Sequence, residues 1–214
     1  MMILELLKTI WVSLKVSGSA TLIASLLAVP LALFLSSTEF KGKRLILLIN
    51  QTWMAAPTVV IGLLFYFLLS RTGPLGAFGI LFSQTAMMIG QIVLILPLII
   101  GFAYSALRQV DQKARLTALT LGASPSQAGW IVIKEAKYPL IIALLAGFAR
   151  AVSEVGISMM LGGNIRGETR NITTTIALES SKGEFSNAVV LGILLLGITL
   201  GINLMVNTGL REKV

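Results

Sequence analysis

Four long stretches of this chain contain no charged residue, and they constrain its fold more than any other feature. They cover residues 16–38, 45–70, 72–107 and 185–210. A transmembrane helix needs about 20 consecutive apolar residues, and each stretch is long enough. Only 12% of all residues are charged, whereas soluble domains average about 25%. The chain is therefore expected to be an all-α integral membrane protein rather than a soluble enzyme.

The composition removes several kinds of reactive site. Cysteine and histidine are absent, which excludes thiolate nucleophiles, disulfide bonds, Cys/His metal sites and imidazole acid–base chemistry. The sequence also lacks the G-x-x-x-x-G-K-[ST] loop that binds the phosphates of ATP. We expect no catalytic residue, no metal site and no cofactor in this chain.

The apolar pattern predicts five membrane spans in a single transmembrane domain that covers residues 1–214. The spans lie at about residues 11–37, 45–70, 83–107, 139–161 and 186–208. Pro57 and Pro97 lie inside spans and can kink them. The first apolar run is too long for the core of a cleaved signal peptide, and no convincing cleavage site follows it. We therefore expect an uncleaved first span.

Lysine and arginine residues between the spans predict the orientation. They are enriched in short cytoplasmic loops of membrane proteins. A cytoplasmic loop at residues 108–138 places ten of them inside and six outside, although Lys8 and Lys15 argue locally for the opposite orientation. With five spans, the N-terminus is then outside and the C-terminus is cytoplasmic. The net charge of +8 belongs to these loops, so the expected partner is the lipid bilayer and not nucleic acid.

Small residues recur at a spacing of four in two spans, which places them on one helix face. Close packing of such faces drives helix association within lipid. The first span carries Ala20, Ala24, Ala28 and Ala32, and the last carries Gly197 and Gly201. We expect both faces to pack within a helical bundle.

The loop at 108–138 is too long to be a simple connector, since helix–helix connections usually take about 2–8 residues. Residues 113–121 predict a short helix that Gly122 terminates. Ser124 and Gln127 then form a capping box around Pro125, and a second helix continues until Pro139 opens the fourth span. This helix–Gly–helix segment is either a docking element for a soluble partner or a hairpin that only braces the bundle.

Residues 119–133, followed by Pro139, resemble the EAA loop of ABC-importer permease subunits. Gly122, Ala123 and Ser124 match the core of that motif, whereas Leu116, Thr117 and Ala118 replace its Glu-Ala-Ala triplet. The resemblance implies that this loop is the element that couples the permease to its ATPase. The residues implied in coupling are Leu116, Thr117, Ala118, Gly122, Ala123, Ser124 and Pro125.

Residues 57–62, 147–156 and 162–179 are similar to the molybdate/tungstate branch of these permeases, and most similar to tungstate-type permeases. This resemblance implies a five-span type I ABC importer permease bundle in the inner membrane of a prokaryote. It implies a second copy of the chain, two cytoplasmic ABC ATPases that bind the ATP, and an external substrate-binding protein. We expect the solute to be tungstate, with molybdate or sulfate as the alternative.

Arg150 and Glu154 are charged residues inside the fourth predicted span, where an isolated charge would cost about 2.5–3.5 kcal/mol. Four residues apart, they share a helix face and can pair. The pair either fixes helix packing or, with Ser153 and Asn164, lines or gates the pathway. A free Glu154 would repel a divalent anion, so we expect a gating or packing role for it rather than a ligand role. We also expect residues 162–184, on the outer side, to contact the delivery protein.

Because the chain lacks an ATP-binding loop, the energy for any transport must come from a partner protein or from an ion gradient. An importer subunit should purify with a Walker-motif ATPase. A secondary transporter or channel should work alone, and many such proteins contain inverted repeats, which we do not find here. A membrane scaffold should give no flux.

Overall fold

A computed structural model describes residues 2–110 and 112–211 of the chain. Within these residues it contains ten α-helices, one 3₁₀ turn at Gly76–Phe78 and no β-strand. The helices are α1 (Met2–Ser37), α2 (Lys43–Met54), α3 (Thr58–Leu69), α4 (Gln84–Gln109), α5 (Gln112–Thr120), α6 (Pro125–Glu135), α7 (Lys137–Val152), α8 (Gly156–Gly162), α9 (Ile172–Ser181) and α10 (Phe185–Arg211). The all-α fold predicted from the sequence is confirmed for the described residues.

Three helices are long and apolar enough to cross a membrane: Leu4–Ser37, Gln84–Gln109 and Phe185–Val206. Two further candidates are helix pairs with a short break inside them, α2 with α3 and α7 with α8. Counting each interrupted pair as one span gives at most five. Five is the number that the sequence predicts, and the arrangement of these spans in a membrane stays a prediction.

Two of the three prolines discussed above differ from their predicted roles. Pro57 lies at a break rather than at a kink within one helix: α2 stops at Met54, and Pro57 is the extended residue before α3. The two helices are bent by 98° at this break. Pro97 lies inside α4, which is a single helix. Pro139 does not open its helix, because α7 begins at Lys137. In the first turn of a helix the missing N–H of proline breaks no intrahelical hydrogen bond.

The fourth predicted span, residues 139–161, is not one continuous helix. α7 ends at Val152 and α8 begins at Gly156, so residues 153–155 lie outside both helices. A side-chain oxygen of Glu154 accepts the N–H of Ile157, which replaces a helical backbone acceptor at the start of α8. The helix expected to carry Arg150 and Glu154 on one face is therefore interrupted at residues 153–155.

The chain forms two compact units, of which the first lies within Met1–Ala20, Ala56–Leu94 and Phe148–Val214. Part of its core consists of Val12 and Val16 on α1 against Met87 and Met88 on α4. Glycines also allow close packing around α8: a Cβ at Gly90 would lie 2.5 Å from Ile157. The close approach of α8 to its neighbours in this unit therefore depends on glycine residues such as Gly90.

The second unit comprises Thr21–Ala55 and Ile95–Gly147. Its core is built from small and aliphatic side chains of α1, α4, α6 and α7. The buried members are Ala32, Ala103, Ala106, Leu107, Val132, Ala136 and Leu140. In this unit Ala24, Ala28 and Ala32 have no exposed surface, and Ala20 on the preceding turn of α1 has none either. The packing face predicted for α1 is confirmed.

The small residues of α10 give the opposite result. Helix α10 packs on α9, but its most apolar window has no buried residue. A Cβ added at Gly197 or Gly201 would meet no atom within 4 Å. The prediction that this glycine pair packs inside the bundle is wrong for the described part of this chain. Four-residue spacing defines a face but not whether the fold brings another helix to it.

Candidate functional site

The helix–Gly–helix segment is present as predicted, and we call residues 112–135 the coupling hairpin. Helix α5 ends at Thr120, and Gly122 has a φ of +87°, which is the left-handed conformation that glycine adopts without strain. The N–H of Gly122 donates to the carbonyl of Leu119, and the N–H of Ala123 donates to that of Ala118. These two bonds form the Schellman motif that closes a helix C-terminus.

The second helix of the coupling hairpin begins with the predicted capping box. The Oγ of Ser124 accepts the N–H of Gln127, and Gln127 Oε1 accepts the N–H of Ser124 at 2.8 Å. Pro125 occupies the first helical position, where it needs no hydrogen-bond acceptor. The turn between α5 and α6 is therefore fixed by bonds within its own sequence.

One face of the coupling hairpin is anchored in the second unit. Ala128 and Val132 are buried, and a Cβ at Gly129 would lie 3.2 Å from Leu33 on α1. Among the predicted coupling residues, Ala118 is buried as well. The hairpin thus braces the bundle through one side.

The other face of the coupling hairpin is open. Leu121 is 82% exposed and Trp130 57% exposed, and both line a depression of about 730 Å³. The remaining lining residues are Ala118, Gly122, Ala123, Ser126, Gln127 and Ile131. Leu116, Thr117, Ser124 and Pro125 are also exposed. Exposed apolar side chains beside a rigid turn can bind a partner surface.

The second site is the interruption between α7 and α8, and we call residues 153–155 the polar break. Arg150 Nη1 donates to Glu154 Oε2 at 2.8 Å, while Oε1 of the same carboxylate accepts the N–H of Ile157 at 3.1 Å. Both oxygens of Glu154 therefore have donors. The carboxylate is 3% exposed and the side chain of Arg150 is 36% exposed, so the pair extends from the interior to the surface.

The predicted contact between Arg150 and Glu154 is confirmed, but the predicted reason is wrong. The two residues do not share a helix face, because Glu154 lies beyond the end of α7. A turn bond from the N–H of Glu154 to the carbonyl of Ala151 brings the carboxylate back toward Arg150. Ser153 is exposed at this turn and donates its hydroxyl to the carbonyl of Arg150.

Sequence reasoning missed the residues that support the polar break. Asn171 is buried, caps α9 by accepting the N–H of Thr174, and donates to Ser158 Oγ at 3.2 Å. The hydroxyl of Thr173 lies 2.9 Å from the carbonyl of Glu154 and 2.9 Å from Asn171 Oδ1. The Asn-x-x-Thr spacing at Asn171 is a signal for the cap, but nothing local indicates its burial beneath Glu154.

Asn164, predicted to accompany Arg150 and Glu154, belongs to a separate charged cluster. Its backbone is left-handed, with a φ of +51°, and its Oδ1 accepts a hydrogen bond from Arg170 Nε at 3.2 Å. Arg166 and Arg170 both form ion pairs with Glu5. The hydrogen bond to the Glu5 carboxylate raises the pKa of Arg166. Every described ion pair of this cluster involves Glu5, near the start of α1.

The sequence matches a known family over most of its length. Residues 24–210 match the family described as "Binding-protein-dependent transport system inner membrane component". The chain is 40% identical to the tungstate uptake system permease protein TupB of Peptoclostridium acidaminophilum, over 92% of this chain and 86% of that protein. It is 38% identical to a probable anion ABC transporter permease protein of Haloferax volcanii, over 90% and 85%.

A more distant relative is the molybdenum transport system permease protein ModB of Haemophilus influenzae, 32% identical over 75% of this chain and 73% of that protein. Among solved structures, an amino acid ABC transporter crystallised with histidines matches with a TM-score of 0.68, over 97% of this chain and 94% of that chain. At 15% identity this match shows a shared fold alone, which is the importer permease fold that the sequence resemblance implies. The chain therefore belongs to the family of binding-protein-dependent transport system inner membrane components, as a multi-pass permease subunit that is not itself an enzyme.

Proposed function

We propose that this chain is the permease of an importer that takes up tungstate and is driven by a separate ATPase. The observation that carries the proposal is the 40% identity to TupB over nearly the whole chain. Membership of the broader family identifies a transporter subunit but not its solute. Identity at this level to a protein named for tungstate uptake supports the same solute here.

The coupling hairpin supports ATP-driven transport. Its buried face ties it to α1, while the open face presents Leu121 and Trp130 to a partner. We assign the ATPase contact to this open face and its turn, which includes Leu116, Thr117, Gly122, Ala123, Ser124 and Pro125. Ala118 is buried and lies beneath the open depression that Leu121 and Trp130 line. A rigid, self-capped turn can transmit movement of an ATPase without bending.

We propose that the working assembly contains two copies of this chain, two cytoplasmic ATPases and an external binding protein. ATP then binds only to the ATPases, because the sequence has no loop for its phosphates. The N-terminus lies outside and the C-terminus in the cytoplasm. In that orientation the cluster of Glu5, Arg166 and Arg170 faces the binding protein.

We assign the polar break to gating of the anion pathway, through Arg150, Ser153 and Glu154, with Asn164 at a separate outer position. Tungstate is a divalent anion, which an unpaired carboxylate would repel. Both oxygens of Glu154 are already hydrogen-bonded, so the residue holds the break in place and is not a ligand. Arg150, which is partly exposed, is the group of this pair that a passing anion can reach.

Molybdate is the alternative solute, and the relative ModB supports it. Molybdate and tungstate are both tetrahedral dianions of nearly the same size, so a permease pathway distinguishes them weakly. Sulfate is smaller and is the third candidate. A separate binding protein would then set most of the selectivity.

The decisive experiment is uptake by proteoliposomes that contain the chain, its Walker-motif ATPase and the binding protein. We expect ATP-dependent uptake of tungstate, less uptake of molybdate and least of sulfate. Liposomes that contain this chain alone are the control, and they should take up none of the three anions. Uptake by the chain alone would contradict the ATP-driven mechanism, and preference for molybdate or sulfate would contradict the assignment of tungstate.

A further inference from the structure

A polar cavity of about 180 Å³ lies in the second unit, beside the end of α1. It is several times larger than the ~30 Å³ that a water molecule occupies in the liquid. Helices α1, α4, α5 and α6 and the short segments after α1 and α4 contribute to its wall. The lining residues are Ser36, Ser37, Glu39, Leu107, Arg108, Val110, Arg115 and Val132.

The charged residues that line this cavity leave it positive. Glu39 is the one carboxylate among the lining residues, and Lys43 Nζ donates to it at 2.7 Å. That hydrogen bond holds the pKa of Glu39 below its ordinary value, so the carboxylate stays ionised and paired. Neither Arg108 nor Arg115 forms an ion pair with a carboxylate of the described residues, although Glu39 attracts Arg108 electrostatically.

The hydrogen-bond donors of the cavity belong mainly to the two arginines. Arg108 uses Nη1 to donate to the hydroxyl of Tyr104 at 3.1 Å, which leaves most of its five N–H groups available. Arg115 is half-buried and forms no hydrogen bond or ion pair with any described residue. The hydroxyls of Ser36 and Ser37 already donate to the carbonyl of Leu33. A ligand must therefore be an acceptor of guanidinium protons.

We propose that this cavity binds a tetrahedral oxyanion group through Arg108 and Arg115. A guanidinium presents paired donors that match phosphate oxygens, which gives both strength and orientation. The group comes either from the phosphate of an anionic lipid headgroup or from a free oxyanion such as inorganic phosphate or tungstate. Only the placement of the cavity at the cytoplasmic membrane surface rests on the proposed function.

Binding to the purified full-length chain in a phosphate-free maltoside detergent tests the assignment. Calorimetric titration with inorganic phosphate and with tungstate examines the free-anion source, and native mass spectrometry with phosphatidylglycerol against phosphatidylcholine examines the lipid source. We expect Arg115→Gln to weaken binding of the preferred probe about tenfold or more, since a hydrogen bond to a charged group is lost. Arg115→Lys keeps the charge but not the paired donors. Its affinity for the probe should therefore lie between those of the wild type and Arg115→Gln.

Arg44→Gln is the matched control, because it removes an exposed arginine from the same unit that does not line the cavity. It should bind like the wild type. Arg108→Gln provides a second test if the Arg115→Gln chain does not fold. Retention of phosphatidylglycerol alone would identify a lipid site, and binding of phosphate or tungstate a free-anion site. Unchanged affinity in both glutamine variants, or binding of none of the probes by the wild type, would overturn the assignment. This readout is binding, so it succeeds or fails independently of tungstate uptake.

Discussion

The coupling hairpin and the polar break are built in opposite ways. The hydrogen bonds that shape the hairpin join residues three to five positions apart, as between Ser124 and Gln127. Those around the break also reach 13 positions along the chain, from Asn171 to Ser158, and 19 positions, from Thr173 to Glu154. The hairpin exposes its apolar tip, whereas the break buries a carboxylate.

This difference separates two kinds of functional element. A locally bonded turn can present side chains to a partner without relying on them for stability. A buried polar site depends on each of its partners, because an unpaired buried group costs the full loss of its hydration. Substitutions in the break should therefore damage the fold first, and substitutions at the hairpin tip should damage coupling first.

Glu154→Ala should have the largest effect on stability. It removes the partner of Arg150 and leaves the N–H of Ile157 without its acceptor. We expect a loss of about 2–3 kcal/mol, below the range for a fully buried pair because Arg150 is 36% exposed. Thermal unfolding in detergent measures it, and the exposed Glu168→Ala is the control. An unchanged Tm for Glu154→Ala would contradict the stabilising role of the two hydrogen bonds that Glu154 accepts.

Gly90→Ala should be the next most damaging change. The new Cβ would lie 2.5 Å from Ile157 and 2.7 Å from Leu161, both on α8. Overpacking of this kind costs about 1–3 kcal/mol. Gly192→Ala is the matched control in α10, where a Cβ meets nothing within 4 Å and alanine favours the helix. Equal Tm values for the two variants would contradict the close packing of α8.

Gly122→Ala should destabilise the chain by about 1 kcal/mol, through the left-handed backbone alone. No atom lies within 4 Å of the added Cβ, so no clash contributes. We expect ATP-dependent uptake to fall much more than Tm, because the hairpin turn changes shape. Gly18→Ala, inside α1 and also free of close atoms, should leave uptake unchanged and should not lower Tm, because alanine favours the helix. Loss of stability without loss of uptake would contradict the role of the turn.

Leu121→Ala should change stability by less than about 0.5 kcal/mol, as is usual for exposed positions. The side chain is 82% exposed, so little packing is lost. We expect the ATPase no longer to purify with the permease, measured by affinity purification of the complex. Leu75→Ala, in the loop after α3, is the control. Full ATPase recovery with Leu121→Ala would remove Leu121 from the proposed contact.

The pair of Lys43 and Glu39 should give the smallest effect, because Glu39 is 83% exposed although Lys43 is buried. It contrasts with the buried carboxylate of Glu154. The hydrogen bond from Lys43 lowers the pKa of Glu39 in the folded state. Stability from this pair is therefore present above the ordinary pKa of glutamate and is lost as pH falls through the lowered value. Glu39→Gln should flatten the dependence of Tm on pH below the ordinary pKa of glutamate. Glu168→Gln is the control. A curve of Tm against pH for Glu39→Gln that runs parallel to the wild-type curve would contradict this contribution of the pair.

Local sequence signals predicted the coupling hairpin and the alanine face of α1 correctly. Gly122, Ser124 and Gln127 act on neighbours within five residues, so their spacing is enough to place a turn and a cap. The same reasoning failed for Gly197 and Gly201, which face no other part of the described chain. At Pro57 the sequence predicts a kink, and the structure shows a 98° bend there in the form of a full break between α2 and α3.

By itself the sequence determined that the chain is a helical membrane protein with a self-capped hairpin and no ATP-binding loop. Hydropathy, capping and glycine conformation are properties of short segments, and they act before any distant contact forms. The tertiary structure alone decided that Glu154 lies outside a helix, that Asn171 is buried beneath it, and that the glycines of α10 contact no other part of the described chain. Those outcomes depend on which distant segments of the chain come into contact. The spacing of residues within one segment does not determine the free energy of such contacts.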